Sequence, residues 1–209
     1  MKNEYYGPNY ACVREEFRIF KRKKIRKRVE NIAITLGGID KNNNTLKILS
    51  IIKKFQLLEN VKIKIILGLG YKQKKKLLEL TNKMNNANYN IKIVEKVNLL
   101  SKHLIDCDFV IVSNGRTVFE IASLNIPLIS LSVNKREQQH NFVKKFNVGY
   151  HIDYTKNIDG KLKSSIENMM YFSIRKKKIK NLEKEDLKKG ISRVITKIMS
   201  EYELVMHNA

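Results

Sequence analysis

Short apolar runs alternate with longer amphipathic stretches along most of the chain. The apolar runs predict buried strands, and apolar residues that recur every three or four positions predict helices between them. The predicted strands are 31–36, 61–70 with its Gly turn, 89–97, 109–113, 126–133 and 148–153; the predicted helices are 44–58, 72–86, 98–107, 116–125 and 136–147. Strands that are each followed by a helix specify a parallel sheet with right-handed crossovers. The pattern therefore predicts a Rossmann-like α/β fold with helices on both faces.

The two ends of the chain add helical patterns of their own. Residues 11–28 carry acids early and bases late, which predicts a basic helix with favourable dipole ordering. Two terminal helices are expected over 161–181 and 182–205, and Asn43 or Asn44 is expected to cap the helix that begins near residue 44. We therefore divide the chain into an interdomain helix or linker (1–30), a Rossmann-like domain (31–160) and C-terminal helices (161–209).

Three of the predicted strands end in small or polar residues, namely LGGID (36–40), LGLG (67–70) and SNGRT (113–117). Because the carboxyl ends of parallel strands meet at one sheet edge, these loops are expected to surround a ligand site there. Neither GxGxxG nor GxxxxGK[ST] occurs, which argues against a classical dinucleotide or P-loop site. Glu120 falls about one turn into the helix after SNGRT. On spacing alone it either accepts hydrogen bonds from a ribose diol or complements the helix dipole.

Composition bounds the compartment and the chemistry. The 209 residues are 43% hydrophobic, enough for a substantial core, but no run approaches 18 apolar residues and the N-terminus lacks the apolar stretch of a signal peptide. We expect a cytoplasmic protein with no membrane span. Cys12 and Cys107 lie far apart and form no metal motif, so both are expected to be reduced thiols. We expect neither a metal nor a cofactor.

The net charge of +22 raises nucleic acid or an anionic surface as a partner. Only nine of the 42 basic residues are Arg, and the remaining Lys come with abundant Asn and Ile, as an AT-rich coding sequence would favour without any such partner. The basic runs KRKKIRKR (21–28) and RKKKIK (175–180) also lack aromatics on which bases could stack. Binding to nucleic acid or an anionic surface is therefore kept only as a third hypothesis.

Four segments carry a resemblance to a known family: GPNYACVREEF, ITLGGIDKNNNTLKIL, CDFVIVSNGRTVFEIASLNIPLI and REQQHNFVKKFNVGYHI. Together they resemble the C-terminal half of the UDP-sugar hydrolase of pseudaminic acid biosynthesis (UDP-2,4-diacetamido-2,4,6-trideoxy-β-L-altropyranose hydrolase), of the glycosyltransferase-B group. The likeness covers nearly the whole chain, including DLKKGISRVI (186–195). Two departures stand out. Ile39 replaces the Ser of the family's Gly-Gly-Ser-Asp loop, and nothing corresponds to the N-terminal half that carries the proposed general base.

The resemblance implies roles for particular residues. The SNGRTVFE loop would hold UDP, with Thr117 and nearby N–H groups on phosphate, Glu120 on ribose and the Val97 backbone on uracil. The residues implied as UDP contacts are Gly37, Gly38, Val97, Asn114, Gly115, Thr117 and Glu120. A second set would meet phosphate or sugar: Asp40, Gln138, Gln139, His140 and Asn141. The open alternatives are a tight turn at Gly37 and Gly38 and a merely solvated helix start at 138–141.

The resemblance therefore implies a UDP-sugar-binding domain of a nucleotide-sugar hydrolase. Its catalytic residues are expected on the other half, so whether this chain alone is an enzyme stays open. The alternative is the nucleotide-sugar-binding part of a glycosyltransferase whose acceptor half lies on another polypeptide. The expected partner is UDP or a UDP-sugar. Whether a separate polypeptide supplies the N-terminal half stays open.

Overall fold

The apolar runs form one parallel sheet. The computed structural model describes residues 7–20, 25–153 and 158–207, without the side chains of 204–207. The six strands are β1 (Asn31–Thr35), β2 (Lys62–Ile66), β3 (Asn90–Val94), β4 (Phe109–Ser113), β5 (Leu128–Leu131) and β6 (Gly149–Ile152). They pair in the order β3-β2-β1-β4-β5-β6, and every pairing is parallel. The predicted parallel sheet is confirmed.

Ten helices and three short 3-10 turns connect and flank the strands in the described chain. The helices are α1 (Glu15–Ile19), α2 (Asn44–Lys54), α3 (Lys74–Asn85), α4 (Leu100–Leu104), α5 (Thr117–Ser123), α6 (Lys135–Gln138), α7 (Phe142–Lys145), α8 (Ile158–Met170), α9 (Phe172–Leu182) and α10 (Gly190–His207). The 3-10 turns span Pro8–Tyr10, Glu183–Glu185 and Leu187–Lys189.

The sheet separates two apolar cores, because successive side chains of a strand point to opposite faces. In β4, Phe109 and Ile111 join the core beneath α2, α3 and α8. Val110 and Val112 join the core on the other face, with side chains of α1, α4, α5, α7 and α9. Helices therefore cover both faces, which explains why β4 is fully buried and apolar at every position except Ser113.

The strand order places a crevice at a defined point of the sheet. The chain leaves β1 toward β2 on one side and returns beside β1 as β4, so the connections diverge between these two strands. In open parallel sheets, ligands bind outside the carboxyl ends of the strands at such a switch point. The loops that follow β1 and β4 contain Gly37, Gly38 and Gly115, which the sequence had singled out.

The prediction of a basic helix over 11–28 is wrong for most of the residues that the structure describes in this range. Helix α1 ends at Ile19, and residues 25–30 are not helical, while 21–24 lie outside the described residues. Tertiary contacts take the backbone groups that a helix would use. The Arg175 guanidinium donates to the carbonyl oxygens of Arg26 (2.8 Å) and Lys27 (3.0 Å). The Asp108 carboxylate accepts from the N–H groups of Glu30 and Asn31.

The single helix predicted over 136–147 is two short helices, α6 and α7, with a turn at residues 139–141. The Asn114 amide donates to the carbonyl oxygens of Glu137 (2.7 Å) and His140 (2.8 Å). A continuous helix would direct the Glu137 carbonyl to the N–H of Asn141. The break therefore follows from a contact with a residue more than twenty positions earlier, which local periodicity does not show.

The structure has three helices, α8, α9 and α10, where the sequence predicted two terminal helices. Tyr171 separates α8 from α9, and two 3-10 turns meet at Asp186, whose φ of 25° lies outside the helical region. Leu187 is buried in the second core, so the chain turns inward before α10 begins. Among the described residues, no helix is long and apolar enough to span a lipid bilayer.

Candidate functional site

A cavity of about 440 Å³ opens at the switch point, above the carboxyl ends of β1, β2 and β3; we call it the central cavity. Gly37, Gly38, Val97 and Thr117 line it, so the fold brings together four of the residues predicted to contact UDP. The charged residues of its described walls are Arg14 and Lys96, both cations. The arrangement suits an anionic ligand with an apolar end near Ile66, Val97 and Leu100.

A second cavity of about 360 Å³ adjoins the first and contains Glu120; we call it the side cavity. Its walls are Cys12, Arg14, Arg116, Thr117 and Glu120, and Arg14 and Thr117 line both cavities. Cys12 is an exposed free thiol, whereas Cys107 is buried. The carboxylate predicted to meet ribose thus lies at the rim of the central cavity rather than within its walls.

Glu120 is held by a residue 106 positions earlier in the chain. Arg14 Nε donates to Glu120 Oε1 at 2.7 Å, and Arg14 Nη2 donates to Oε2 at 3.2 Å. The Glu120 side chain is 12% exposed and that of Arg14 is 52% exposed. The hydrogen bond to Glu120 raises the pKa of Arg14 despite partial burial. Neither interpretation of Glu120, as a ribose contact or as a complement to the helix dipole, included this ion pair. Local spacing could not reveal it, because Arg14 is remote in sequence.

Arg14 is itself held by Glu16, which in turn contacts helix α4. Its Nη1 lies 2.8 Å from Glu16 Oε1, and Glu16 Oε2 accepts the Ser101 N–H at 2.8 Å. Glu16 and Ser101 are both buried. Helix α4 has no side-chain cap of its own, so Glu16 caps it from α1. A continuous chain of contacts therefore runs from the start of α4, the helix after Val97, through Glu16 and Arg14 to Glu120.

The β1 and β2 loops pack backbone against backbone beside the central cavity. Gly70 N–H donates to Gly38 O at 2.9 Å, and a Cβ atom at Gly68 would lie 2.3 Å from that oxygen. Gly37 has a φ of 80°, in the region that favours glycine. These glycines therefore form a tight turn, the alternative that the sequence left open, and they also line the cavity.

Asp40 caps helix α2. Its Oδ1 accepts the Asn44 N–H and its Oδ2 accepts the Thr45 N–H, both at 2.9 Å. The expected cap by Asn43 or Asn44 is wrong: Asn43 adopts a left-handed conformation and its side chain makes no capping bond. A carboxylate just before a helix satisfies its free N–H groups and complements its dipole. Asp40 lines a separate cavity with Lys41 and Lys72.

The remaining predicted residues lie along the edge of the site. Asn114 is buried and braces the turn between α6 and α7, and Gly115 stands beside Glu137. His140 Nδ1 lies 2.8 Å from the Asn114 carbonyl oxygen. The side chains of Gln138, Gln139 and Asn141 are exposed. The structure thus places this turn against the SNGRT loop, outside the walls of both cavities.

A Ser–His–Asp arrangement occurs elsewhere, between β5 and β6. His151 Nδ1 lies 2.7 Å from Ser130 Oγ, and its Nε2 lies 2.8 Å from Asp153 Oδ1. Burial lowers the pKa of His151, and Ser130 is fully buried. A nucleophile must reach its substrate, so this cluster stabilises the edge of the sheet and is not a catalytic triad.

Arg14 and Lys96 are the site residues that sequence reasoning missed. Arg14 was assigned to a helix interior because its neighbours fit a helical pattern, and its partner Glu120 is remote in sequence. Lys96 directly precedes the predicted uracil contact and has a φ of 52°, which turns the chain after β3. The usable signal for Lys96 was its place just beyond a strand end, beside Val97.

No family model matches the chain. An uncharacterized protein of Methanocaldococcus jannaschii is 30% identical over 148 residues, which are 68% of this chain and 30% of that protein. This chain therefore spans less than a third of the length of that relative.

Solved structures show the same architecture. MurG of Acinetobacter baumannii matches 91% of this chain and 55% of its own, with a TM-score of 0.64 and 16% identity. WaaG, a glycosyltransferase of lipopolysaccharide biosynthesis, matches 90% of this chain and 53% of its own, with a TM-score of 0.61 and 14% identity.

The pneumococcal O-GlcNAc transferase GtfA, solved with UDP and GlcNAc, matches 86% of this chain and 37% of its own, with a TM-score of 0.56 and 15% identity. At these identities the likeness concerns the fold. The chain has the Rossmann-like fold of one half of a glycosyltransferase-B protein, as predicted.

Proposed function

We propose that this chain is a UDP-sugar-binding domain, with the nucleotide in the central cavity and its ribose at Glu120. The observation that carries the proposal is the convergence of Gly37, Gly38, Val97 and Thr117 on one cavity at the switch point, with Glu120 at its rim. In this proposal the base lies at Val97 and the diphosphate at the loop that carries Gly37 and Gly38.

The electrostatics of the cavity support an anionic ligand. Lys96 is a cation on its walls, whereas the charge of Arg14 is paired with Glu16 and Glu120. A diphosphate brings negative charge that a cation and backbone N–H donors stabilise. The structure of GtfA with UDP and GlcNAc belongs to a protein of the same fold. The domain boundaries 1–30, 31–160 and 161–209, with nucleotide-sugar binding assigned to 31–160, remain part of this proposal.

Glu120→Ala is expected to weaken UDP binding by about 10- to 100-fold, because two hydrogen bonds from ribose hydroxyls to a charged acceptor are lost. Isothermal titration calorimetry of UDP with the wild type and the variant measures this change. Glu79→Ala is a matched control, since Glu79 is exposed on α3, away from both cavities.

Equal UDP affinities for the wild type and Glu120→Ala would show that the ribose contact is misassigned. Titrations with CMP and ADP complete the experiment. If the wild type binds either of them as tightly as UDP, the assignment of a uridine nucleotide fails.

The finer activity is proposed as hydrolysis of a UDP-sugar of pseudaminic or related nonulosonic acid biosynthesis, with release of UDP. In that reaction this domain would stabilise the departing diphosphate, and water and its base would come from the other half. The alternative, a glycosyltransferase, is favoured by the fold of MurG and WaaG. The resemblance in sequence and the likeness in structure thus support different members of one fold group.

Helix α10 supports the proposal of a separate N-terminal-half partner. Ile195, Ile198, Met199 and Tyr202 are 54 to 62% exposed and lie on one helical face. The side chains of residues 191–203 are all at least partly exposed. An apolar stripe of this kind marks an interaction surface, and α10 packs against the Pro8–Tyr10 turn near the chain's N-terminus. The chain covers only about half of its structural neighbours.

The two activities separate in a UDP-release assay. The chain alone is expected to bind a UDP-sugar but to release no UDP. Adding a polypeptide encoded beside it should restore release without an acceptor if the protein is a hydrolase, and only with an acceptor if it is a transferase. Release of UDP by the chain alone would contradict the assignment of the catalytic residues to another half.

A further inference from the structure

A further cavity of about 400 Å³ lies at the amino ends of β1 and β2, the sheet edge opposite the central cavity; we call it the rear cavity. It is formed mainly by the segments that lead into these two strands. Val29, Leu58 and Val61 are buried and supply an apolar floor, whereas Lys27 and Arg28 are exposed. The rear cavity therefore combines an apolar floor with a cationic rim.

The charges of Lys27 and Arg28 are not taken up by neighbouring acids. Glu59 is the acid among the cavity walls that the structure describes. Glu30 is close in sequence, but its carboxylate pairs with Arg26 at 3.2 Å. No ion pair in the described part of the chain involves Lys27 or Arg28. Both cations are therefore available to an anionic partner.

Exposed apolar side chains adjoin these cations. Met170 lines the rear cavity, and Tyr171, which is 64% exposed, follows it at the corner between α8 and α9. The Arg175 guanidinium donates to Lys27 O at 3.0 Å, which holds the first turn of α9 beside the rim. Two exposed lysines, at 176–177, come next on α9. We call this set the rear surface: Lys27, Arg28, Met170, Tyr171, Lys176 and Lys177.

We propose that the rear surface binds an anionic lipid bilayer, with Met170 and Tyr171 at the level of the headgroups and the four cations on lipid phosphates. Cations around exposed apolar and aromatic side chains are typical of surfaces that lie in a membrane interface. The net charge of +22 draws the protein toward such a bilayer. The inference is independent of UDP binding, because the central cavity lies at the other edge of the sheet.

Nucleic acid is the other common polyanion, and the rear surface fits it less well. Single strands are bound through several aromatic side chains on which successive bases stack, and Tyr171 is the one aromatic member of this surface. Arginine makes the two-pronged phosphate contact that lysine cannot, but Arg175 of the same basic run is buried on backbone carbonyls. An apolar floor beneath a cationic rim matches a lipid, whose acyl chains lie beneath its phosphate.

The test is co-sedimentation of the chain with vesicles of pure phosphatidylcholine and of an equimolar mixture with phosphatidylglycerol. The chain is expected to bind the mixed vesicles alone, and about 1 M salt should weaken binding at least about tenfold by screening the charges. Lys27→Gln combined with Arg28→Gln should weaken binding about 25-fold, since each cation near the surface contributes about fivefold. The matched control is Lys75→Gln with Lys76→Gln, which removes the same charge from exposed positions on α3 and should cost no more than about twofold.

Tyr171→Ser tests the apolar contact. It should weaken binding to the mixed vesicles about fivefold, because part of an aromatic side chain no longer leaves water. Tyr202→Ser is its control, since Tyr202 is 60% exposed on α10, and should keep the wild-type affinity. Thermal unfolding and UDP affinity of every variant should match the wild type, which shows that the fold and the nucleotide site are unaffected.

Several results would overturn the inference. Equal losses in the rear-surface and α3 double variants would show that net charge alone acts. Equal binding to both kinds of vesicle would remove the role of the cations. Displacement from mixed vesicles by excess glycerol phosphate would indicate a site for a soluble phosphate. A mixed-sequence single-stranded oligonucleotide that binds more tightly than the vesicles, and is weakened by Tyr171→Ser, would assign the rear surface to nucleic acid. None of these results bears on the proposed function, which the UDP titrations test separately.

Discussion

Arg175→Met is expected to lower the free energy of unfolding by about 3–5 kcal/mol. Arg175 is fully buried, and its guanidinium donates to four backbone carbonyl oxygens. Two belong to Met169 and Met170 at the end of α8, and two belong to Arg26 and Lys27, which lead into β1. Burial lowers the pKa of Arg175, and the nearby Asp108 charge opposes that effect.

Replacing a buried charge by an apolar side chain is often harmless when its partners are replaced as well. The partners of Arg175 cannot be replaced in this way, because they are backbone carbonyls that every variant retains. Carbonyls left without donors each cost about 1–3 kcal/mol when they stay buried. The Arg175→Met variant also loses the guanidinium that joins residues 26–27 to the end of α8.

Urea unfolding followed by circular dichroism measures the change. Lys176→Met is the matched control, since Lys176 is an exposed cation on the same helix, and its effect should stay within about 0.5 kcal/mol. A loss below about 1 kcal/mol in Arg175→Met would mean that removal of the buried charge compensates for the lost hydrogen bonds.

Gly68→Ala is expected to cost about 2–3 kcal/mol of stability and to weaken UDP binding at least about tenfold. The added Cβ would lie 2.3 Å from Gly38 O and 2.4 Å from Gly37 O. These neighbours are backbone atoms, so the β1 loop itself must move to restore an ordinary contact. That loop is the proposed wall for the diphosphate, and its displacement would separate it from the Val97 side of the cavity.

Gly38→Ala separates packing from ligand contact. A Cβ at Gly38 has nothing within 4 Å, so the stability of this variant should stay close to that of the wild type. Its UDP affinity should still fall if the diphosphate approaches this loop. Denaturant unfolding and calorimetry on both variants give the comparison. Wild-type stability in Gly68→Ala would show that the loop yields freely, and wild-type UDP affinity in Gly38→Ala would remove the diphosphate from this wall.

The loop after β4 shows how far local pattern reaches. The continuous apolar run of 109–112 predicted a buried strand of a parallel sheet, and the glycine after it predicted a turn at the ligand edge. Both are present, and Thr117 lines the central cavity. The role of Asn114 could not be predicted from the sequence. Its side-chain amide donates hydrogen bonds to a turn that exists only once residues 137–140 have folded against it.

The sequence by itself determined the six strands, their parallel arrangement and the edge at which the glycine loops meet. It could do so because strand and helix periods are local, and because short crossovers have one hand. The tertiary structure alone decided that residues 25–30 are not a helix and that Arg14 holds Glu120. Each of those outcomes depends on which polar group comes within hydrogen-bonding distance of the backbone or of a charge. Where the two groups are distant along the chain, only folding brings them together, and no periodicity records it.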